Sequence, residues 1–381
     1  MVRAGGLGDT LLVLPTVQLL LDEVPALQVT LVGSAWAQEL MPLLRAPDRT
    51  PRGRDGADLV AGQEARATRI GDQCAKPERH RHTTKDARPC GLRLGPSSAA
   101  SRLLAATRPE AQRGSRGVLS GALGIAPRLH LLRFDSPLLT PLFGESAAED
   151  ATGCFAEAHA AVVYAAAPGG ELTASARRFC PGPVIEWPVQ PAGGEHAAVH
   201  FARAVADPPP DSEELPLPAL RVPGGLRDWS ARWMASHFGE AAAPAAVHPG
   251  SGGARKCWPA ERFARLIRSL GAAVLLLEGP ADSAPCRRVE QLAPTGTHLV
   301  KASGLSVAQA AALLARCRSY VGNDSGLSHL AAALGVPTVA VFGPTDPSVW
   351  APRGPRVRTV QAAAGWPDAG EVLQALAAFP D

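Results

Sequence analysis

Three glycine-rich loops in this 381-residue chain gather the side chains whose types and spacing could do chemistry. The first, GLGDTLLVLP at 6–15, sets Asp9 among glycines that let backbone approach a ligand closely. Asp9 has two readings, the N-cap of the helix that follows or a general base facing a cleft. The second loop, HPGSGGARKCWP at 248–259, combines flexible backbone amides, the Ser251 hydroxyl and the adjacent cations Arg255 and Lys256. It is not a Walker A motif, because the Gly-to-Lys spacing differs and no Ser or Thr follows Lys256. It can still cradle a phosphate, since a helix start and cations both favour anions. A solvated basic loop is the plainer alternative. The third, GNDSGLSHLAAALGVP at 322–337, bunches Asn323, Asp324 and Ser325 where a helix should begin, and Gly326 exposes the amides there. His329 lies one turn in on the same helix face as Ser325. Its imidazole could hydrogen-bond a phosphate oxygen or serve structure alone.

Each loop follows a short apolar run and precedes a helical one, so the elements that must hold them alternate β and α. The opening strand, Met1–Arg3, is very short for a central position. A helix is expected from Thr10 to Leu21, a strand at 28–32 and a helical run over 36–44. Further strands are expected at 160–165 and 183–187, with helices over 171–178 and 196–205. The stretch DPPPDSEELPLPALRVPGG is proline-rich and acidic, and it reads as an inter-domain linker over 206–225. Beyond it the pattern is regular. Helices are expected at 226–238, 259–270, 284–292, 306–316, 325–334 and 371–379. Strands are expected at 245–248, 273–277, 298–300, 319–322 and 338–342. The predicted organisation is an N-terminal domain over 1–205 and a C-terminal domain over 226–381, with a cleft between them.

Residues 46–117 break this pattern. They carry fifteen Arg and Lys against eight Asp and Glu, with no aromatic residue but His and no hydrophobic period. Such a segment buries too little apolar area to offset its ordering entropy. It reads as a disordered insert or as a stretch translated in the wrong frame. Ordinary patterning returns near Val118 and with LHLLRFDSPLLTPLFG. The N-terminal sheet is therefore expected to lack strands between Val32 and Ala160, leaving the cleft wall incomplete. The net charge of +3 comes from this one basic segment. No aromatic stacking surface for nucleic acid stands out, so nucleic acid is not an expected partner. Seven scattered cysteines with no CxxC pair argue against a disulfide framework or a zinc site and favour a reducing compartment. Neither a signal-like apolar run nor a stretch of membrane-spanning length is present. A soluble protein is expected.

Together GLGDTLLVLP, HPGSGGARKCWP and GNDSGLSHLAAALGVPTVAVFGPTDPSVWAP resemble glycosyltransferase family 9, the ADP-heptose:lipopolysaccharide heptosyltransferases. The resemblance covers residues 1–45 and roughly 118–381, and it departs at 46–117. It implies the GT-B architecture, two Rossmann-like doubly wound lobes with acceptor on the first and ADP-sugar on the second. It implies Asp9 as catalytic base and Lys256 as the contact to the donor diphosphate. Ser251, Asp324, Ser325, Gly326 and His329 fall in the diphosphate-binding stretches. An acidic residue for the adenosine ribose is implied after the next strand, where Glu278 and Asp282 both stand, and Asp282 is preferred. The implied reaction is inverting and needs no metal or other cofactor. It would transfer heptose to a lipid-linked core oligosaccharide of lipopolysaccharide, met at the cytoplasmic face of the inner membrane. Two alternatives remain at this level, another GT-B transferase or epimerase, and a non-catalytic nucleotide-binding remnant.

Overall fold

The computed structural model describes residues 2–3, 6–23, 27–33, 39–44, 129–133, 158–166, 168–206, 210–240, 243–271 and 273–380. All belong to one compact unit of the chain. The readings made for 46–117 lie outside the described residues.

The first sheet contains β1 (Val2–Arg3), β2 (Val29–Gly33), β3 (Leu129–Arg133), β4 (Ala161–Ala165) and β5 (Val184–Pro188). They lie parallel in the order β3-β2-β1-β4-β5, so the chain reverses its direction of winding beside β1. Short as it is, β1 is central: Val2 pairs with Val32 on one side and Val163 on the other. The helices here are α1 (Leu7–Glu23), α2 (Met41–Leu44), α3 (Glu171–Phe179) and α4 (Ala197–Arg203). Two sequence expectations change. Helix α1 begins at Leu7, not Thr10, and continues through the buried Pro15, which removes a ladder donor. Strand β3 was not foreseen, yet it pairs with β2 along its full length, from Val29↔Leu129 to Gly33↔Arg133. The sheet is therefore not empty between Val32 and Ala160.

The second sheet has six parallel strands, β6 (Ala245–His248), β7 (Val274–Glu278), β8 (Leu299–Ser303), β9 (Ser319–Asn323), β10 (Thr338–Phe342) and β11 (Val357–Gln361). Their order is β8-β7-β6-β9-β10-β11, the 3-2-1-4-5-6 sequence of a dinucleotide-type Rossmann sheet, so its switch point lies between β6 and β9. Every residue of β6 and β10 is buried, as expected of strands covered on both faces. The helices are α5 (Gly224–Phe238), α6 (Ala260–Leu270), α7 (Ser283–Leu292), α8 (Val307–Leu314), α9 (Gly326–Ala333), α10 (Pro347–Trp350) and α11 (Ala369–Ala377). Ser306 and Asp368 close full capping boxes at the starts of α8 and α11. Strand β11 is absent from the strands expected from the sequence.

The two sheets share a seam. One hydrophobic cluster runs from Leu11, Val17 and Phe201 to Leu275, Leu313 and Leu330. At its edge α1 lies against α9 with glycine on both sides. A Cβ on Gly326 would sit 2.7 Å from Leu7 Cβ, and one on Gly8 would sit 2.9 Å from the His329 ring. The segment before α5 is stitched to both lobes, with Leu220 N–H on Ala333 O and Arg221 N–H on Leu43 O.

Candidate functional site

The loops that leave β1, β6, β7 and β9 meet at this seam and line a cavity of about 550 Å³. It lies at the switch point of the second sheet, where open α/β sheets bind ligands. Asp9, Ser251, Lys256, Glu278, Asp282, Asp324, Ser325, Gly326 and His329 all line it, whereas Arg255 is exposed and Asn323 is buried, neither of them on the cavity wall. Helices α1 and α9, from opposite lobes, both point their N-termini into it, which biases the space towards negative charge.

Asp9 is not the N-cap of α1. It is the third helical residue, and its Oδ2 reaches back to accept the Gly6 N–H at 2.8 Å. The carboxylate thus closes the first turn of α1 while remaining on the cavity wall.

Lys256 closes a short 3₁₀ turn, Ala254–Lys256. Its ammonium donates to Asp324 Oδ2 at 2.7 Å, and the Thr345 hydroxyl donates to the same oxygen at 2.9 Å. Asp324 therefore holds the Lys256 ammonium at the cavity wall. Ser251 Oγ donates to the Asp324 carbonyl at 2.7 Å, which ties the second loop to the third. Asn323, read only as part of a cap cluster, is fully buried and completes the join. Its amide donates to Pro249 O and Gly250 O and accepts from the Trp258 N–H.

Ser325 is the N-cap residue of α9, but its hydroxyl makes no capping bond. His329 is buried against Gly8 across the lobes. Burial pushes its imidazole down to about 4, against an opposing pull from the Asp324 and Asp9 charges. It is therefore neutral at pH 7, a donor and an acceptor rather than a cation.

Asp282 is committed differently from the sequence reading. Its Oδ2 accepts from His248 Nε2 at 2.9 Å and from the Gly279 N–H at 3.1 Å. Burial raises its carboxyl, but the His248 hydrogen bond and charge outweigh this and hold it below the usual carboxylate range. Glu278, at the end of β7, also lines the cavity and stands 3.5 Å from Lys301. His248, Gln190 and Trp350 were missed. A single His at a strand end has no spacing to reveal it. Among the described residues no group of three or more His, Cys, Asp or Glu could hold a metal ion.

The family model described as "Glycosyltransferase family 9 (heptosyltransferase)" matches residues 185–372. Lipopolysaccharide heptosyltransferase 2 of Escherichia coli (strain K12) is 33% identical over 122 residues, 30% of this chain and 34% of that protein. The aligned region thus spans about a third of the length of the curated relatives it matches. Among solved structures, E. coli ADP-heptose lps heptosyltransferase II superposes with a TM-score of 0.62 at 16% identity, covering 99% of this chain and 97% of that one. The E. coli heptosyltransferase WaaC with ADP superposes with a TM-score of 0.55 at 16% identity, covering 98% and 97%. The fold is the GT-B arrangement of two Rossmann-like lobes.

Proposed function

We propose that this chain, which belongs to glycosyltransferase family 9 through residues 185–372, transfers heptose from ADP-heptose to the inner core of lipopolysaccharide. One observation carries the reading: residues from three distant loops and two opposed helix starts converge on a single cavity at the Rossmann switch point. The structural relative solved with ADP supports an ADP-sugar donor.

In this mechanism Asp9 takes the proton from an acceptor hydroxyl as that oxygen attacks the anomeric carbon. The bond to the diphosphate breaks from the opposite face, and the anomeric centre inverts. Charge growing on the leaving diphosphate meets the Lys256 ammonium and the amides that open α9 at Gly326 and Leu327. Lys256 begins paired to Asp324, so the incoming diphosphate shares the ammonium rather than finding it unoriented. These groups supply the neutralisation without a divalent ion. Neutral His329 donates one hydrogen bond to a phosphate oxygen.

For the ribose, Glu278 is the better candidate than Asp282, because it ends the second strand of the Rossmann sheet and Asp282 is already bonded to His248. Among the described residues no helix is long and apolar enough to cross a membrane. The lipid-linked acceptor would be met at the membrane surface. The test is a transfer assay with ADP-heptose and heptose-deficient lipopolysaccharide, alongside calorimetric titration with ADP. Binding of ADP with transfer that EDTA leaves unchanged supports the reading. Binding without transfer leaves a nucleotide-binding module, and no binding removes the reading.

A further inference from the structure

The mechanism above leaves the buried Asp282–His248 pair unused, yet the fold makes room for it. A Cβ on Gly250 would fall on the Asp282 carboxyl, and one on Gly279 would crowd its Oδ2. Because Oδ2 accepts from His248 Nε2, that nitrogen carries a proton, and Nδ1 is left facing Ser325 Oγ at 3.4 Å. On its other side Ser325 Oγ lies 3.4 Å from Ser328 Oγ. Ser328 donates its own proton to the Asn323 carbonyl at 2.5 Å. The Ser325 proton therefore has three uses, a lone pair on His248 Nδ1, a lone pair on Ser328 Oγ, or an anion at the start of α9. Both 3.4 Å separations are long for hydroxyl hydrogen bonds, so the hydroxyl is not locked.

We propose that His248 is a positioning residue that takes up a proton when a nucleoside diphosphate binds, turning the Ser325 hydroxyl from the imidazole towards the diphosphate. A neutral imidazole with its proton on Nε2 draws the Ser325 proton away and leaves oxygen lone pairs facing the anion. An imidazolium donates from both nitrogens, to Asp282 and to Ser325, and frees the Ser325 proton for a phosphate oxygen. The new Nδ1–H proton comes from solvent, and Ser325 keeps its own and only rotates. Asp282 faces the imidazole directly. Asp9, Glu278, Asp324, Lys256 and His329 line the same cavity, and its carboxylates favour the added charge while Lys256 opposes it. The diphosphate tips that balance. This inference rests on the reading of the cavity as an ADP-sugar site.

The experiment is calorimetric titration of the full-length protein with ADP, between pH 6 and 9, in buffers of different ionisation enthalpy. Native protein should take up more protons per ADP than His248→Asn, with a reduced excess for Ser325→Ala. Comparison with the variants removes the titration of ADP itself. By linkage, native affinity should fall as pH rises, by up to about tenfold per pH unit more steeply than in His248→Asn. A merely structural histidine would alter stability without altering proton uptake. If His248→Asn does not fold, Ser325→Ala decides, since it adds no volume. ADP binding with equal proton uptake in native and variant proteins overturns this inference alone. Failure of native protein to bind ADP overturns both it and the donor-site reading.

Discussion

In the proposed mechanism Asp9 does two jobs with one carboxylate, and its variants separate them. Its Oδ2 holds the Gly6 N–H, so Asp9→Asn keeps an acceptor for the cap and loses only the base. Transfer should fall about 10²–10⁴-fold while ADP affinity and melting temperature hold, read by steady-state kinetics beside calorimetry. Near-normal turnover would leave Asp9 as a structural cap only. For Lys256→Ala, loss of a charged hydrogen bond typically costs about 1.5–3 kcal/mol of ADP affinity. With its side chain 39% exposed, Lys256 should sit at the low end of that range. The substitution also leaves Asp324 Oδ2 with only the Thr345 hydroxyl, facing the phosphates as an unneutralised charge. Unchanged ADP affinity would exclude Lys256 from the site. That Asp9 and Lys256 would face one cavity was legible because each stands in a glycine-rich loop after a strand, where open α/β sheets gather ligand-facing residues. His248 and Asn323 were not. Their roles arise from partners 34 and 65 or more residues away, and no local pattern records such pairings.

Between elements, the decisive contact is α1 against α9, where glycines at 8 and 326 let two helix starts from different lobes approach one cavity. Alanine normally stabilises a helix over glycine by roughly 0.5–1 kcal/mol. At Gly326 the sign should reverse, because the added Cβ would come 2.7 Å from Leu7 Cβ and 3.2 Å from the Gly8 nitrogen, both on a helix that cannot yield alone. Gly326→Ala should cost about 1–3 kcal/mol by denaturant unfolding and weaken ADP binding. Gly225→Ala in α5, with open space around it, should be neutral or stabilising. Equal effects of the two would mean that the lobes do not meet at Gly326. Most elements were visible as alternating apolar runs, and the two strands missed share a cause. In β3, LHLLR, the polar His130 and Arg133 interrupt a five-residue run that pairs with β2 on one side. In β11, VRTVQ, an edge strand carries charge that a buried strand would not. Helix α1 starts early because Gly8 read as loop, although its place there is set by the helix opposite.

At the scale of the whole molecule, the seam between lobes makes stability depend on acid. His329 sits in that seam, pressed on Gly8, and burial holds its imidazole neutral down to about 4, below the usual 6.5. The unfolded chain therefore binds more protons than the folded one between those values. Its contribution is fully present above about pH 6.5 and is lost as pH falls towards about 4, a change on the order of 3 kcal/mol. The lowered carboxyl of Asp282 acts in the same direction further down, because it too must be protonated as the pH drops through the carboxylate range. Asp324 and Asp9 soften the His329 effect by favouring its charge, while His196 and Lys256 sharpen it. The loss should appear as a falling melting temperature between pH 6.5 and 4.5 in scanning calorimetry of the full-length protein. His329→Gln should be less stable at pH 7, where a packed ring is lost, but should show a shallower decline with acid. Parallel pH profiles for the two proteins would show that the acid sensitivity arises elsewhere and that His329 is hydrated in solution.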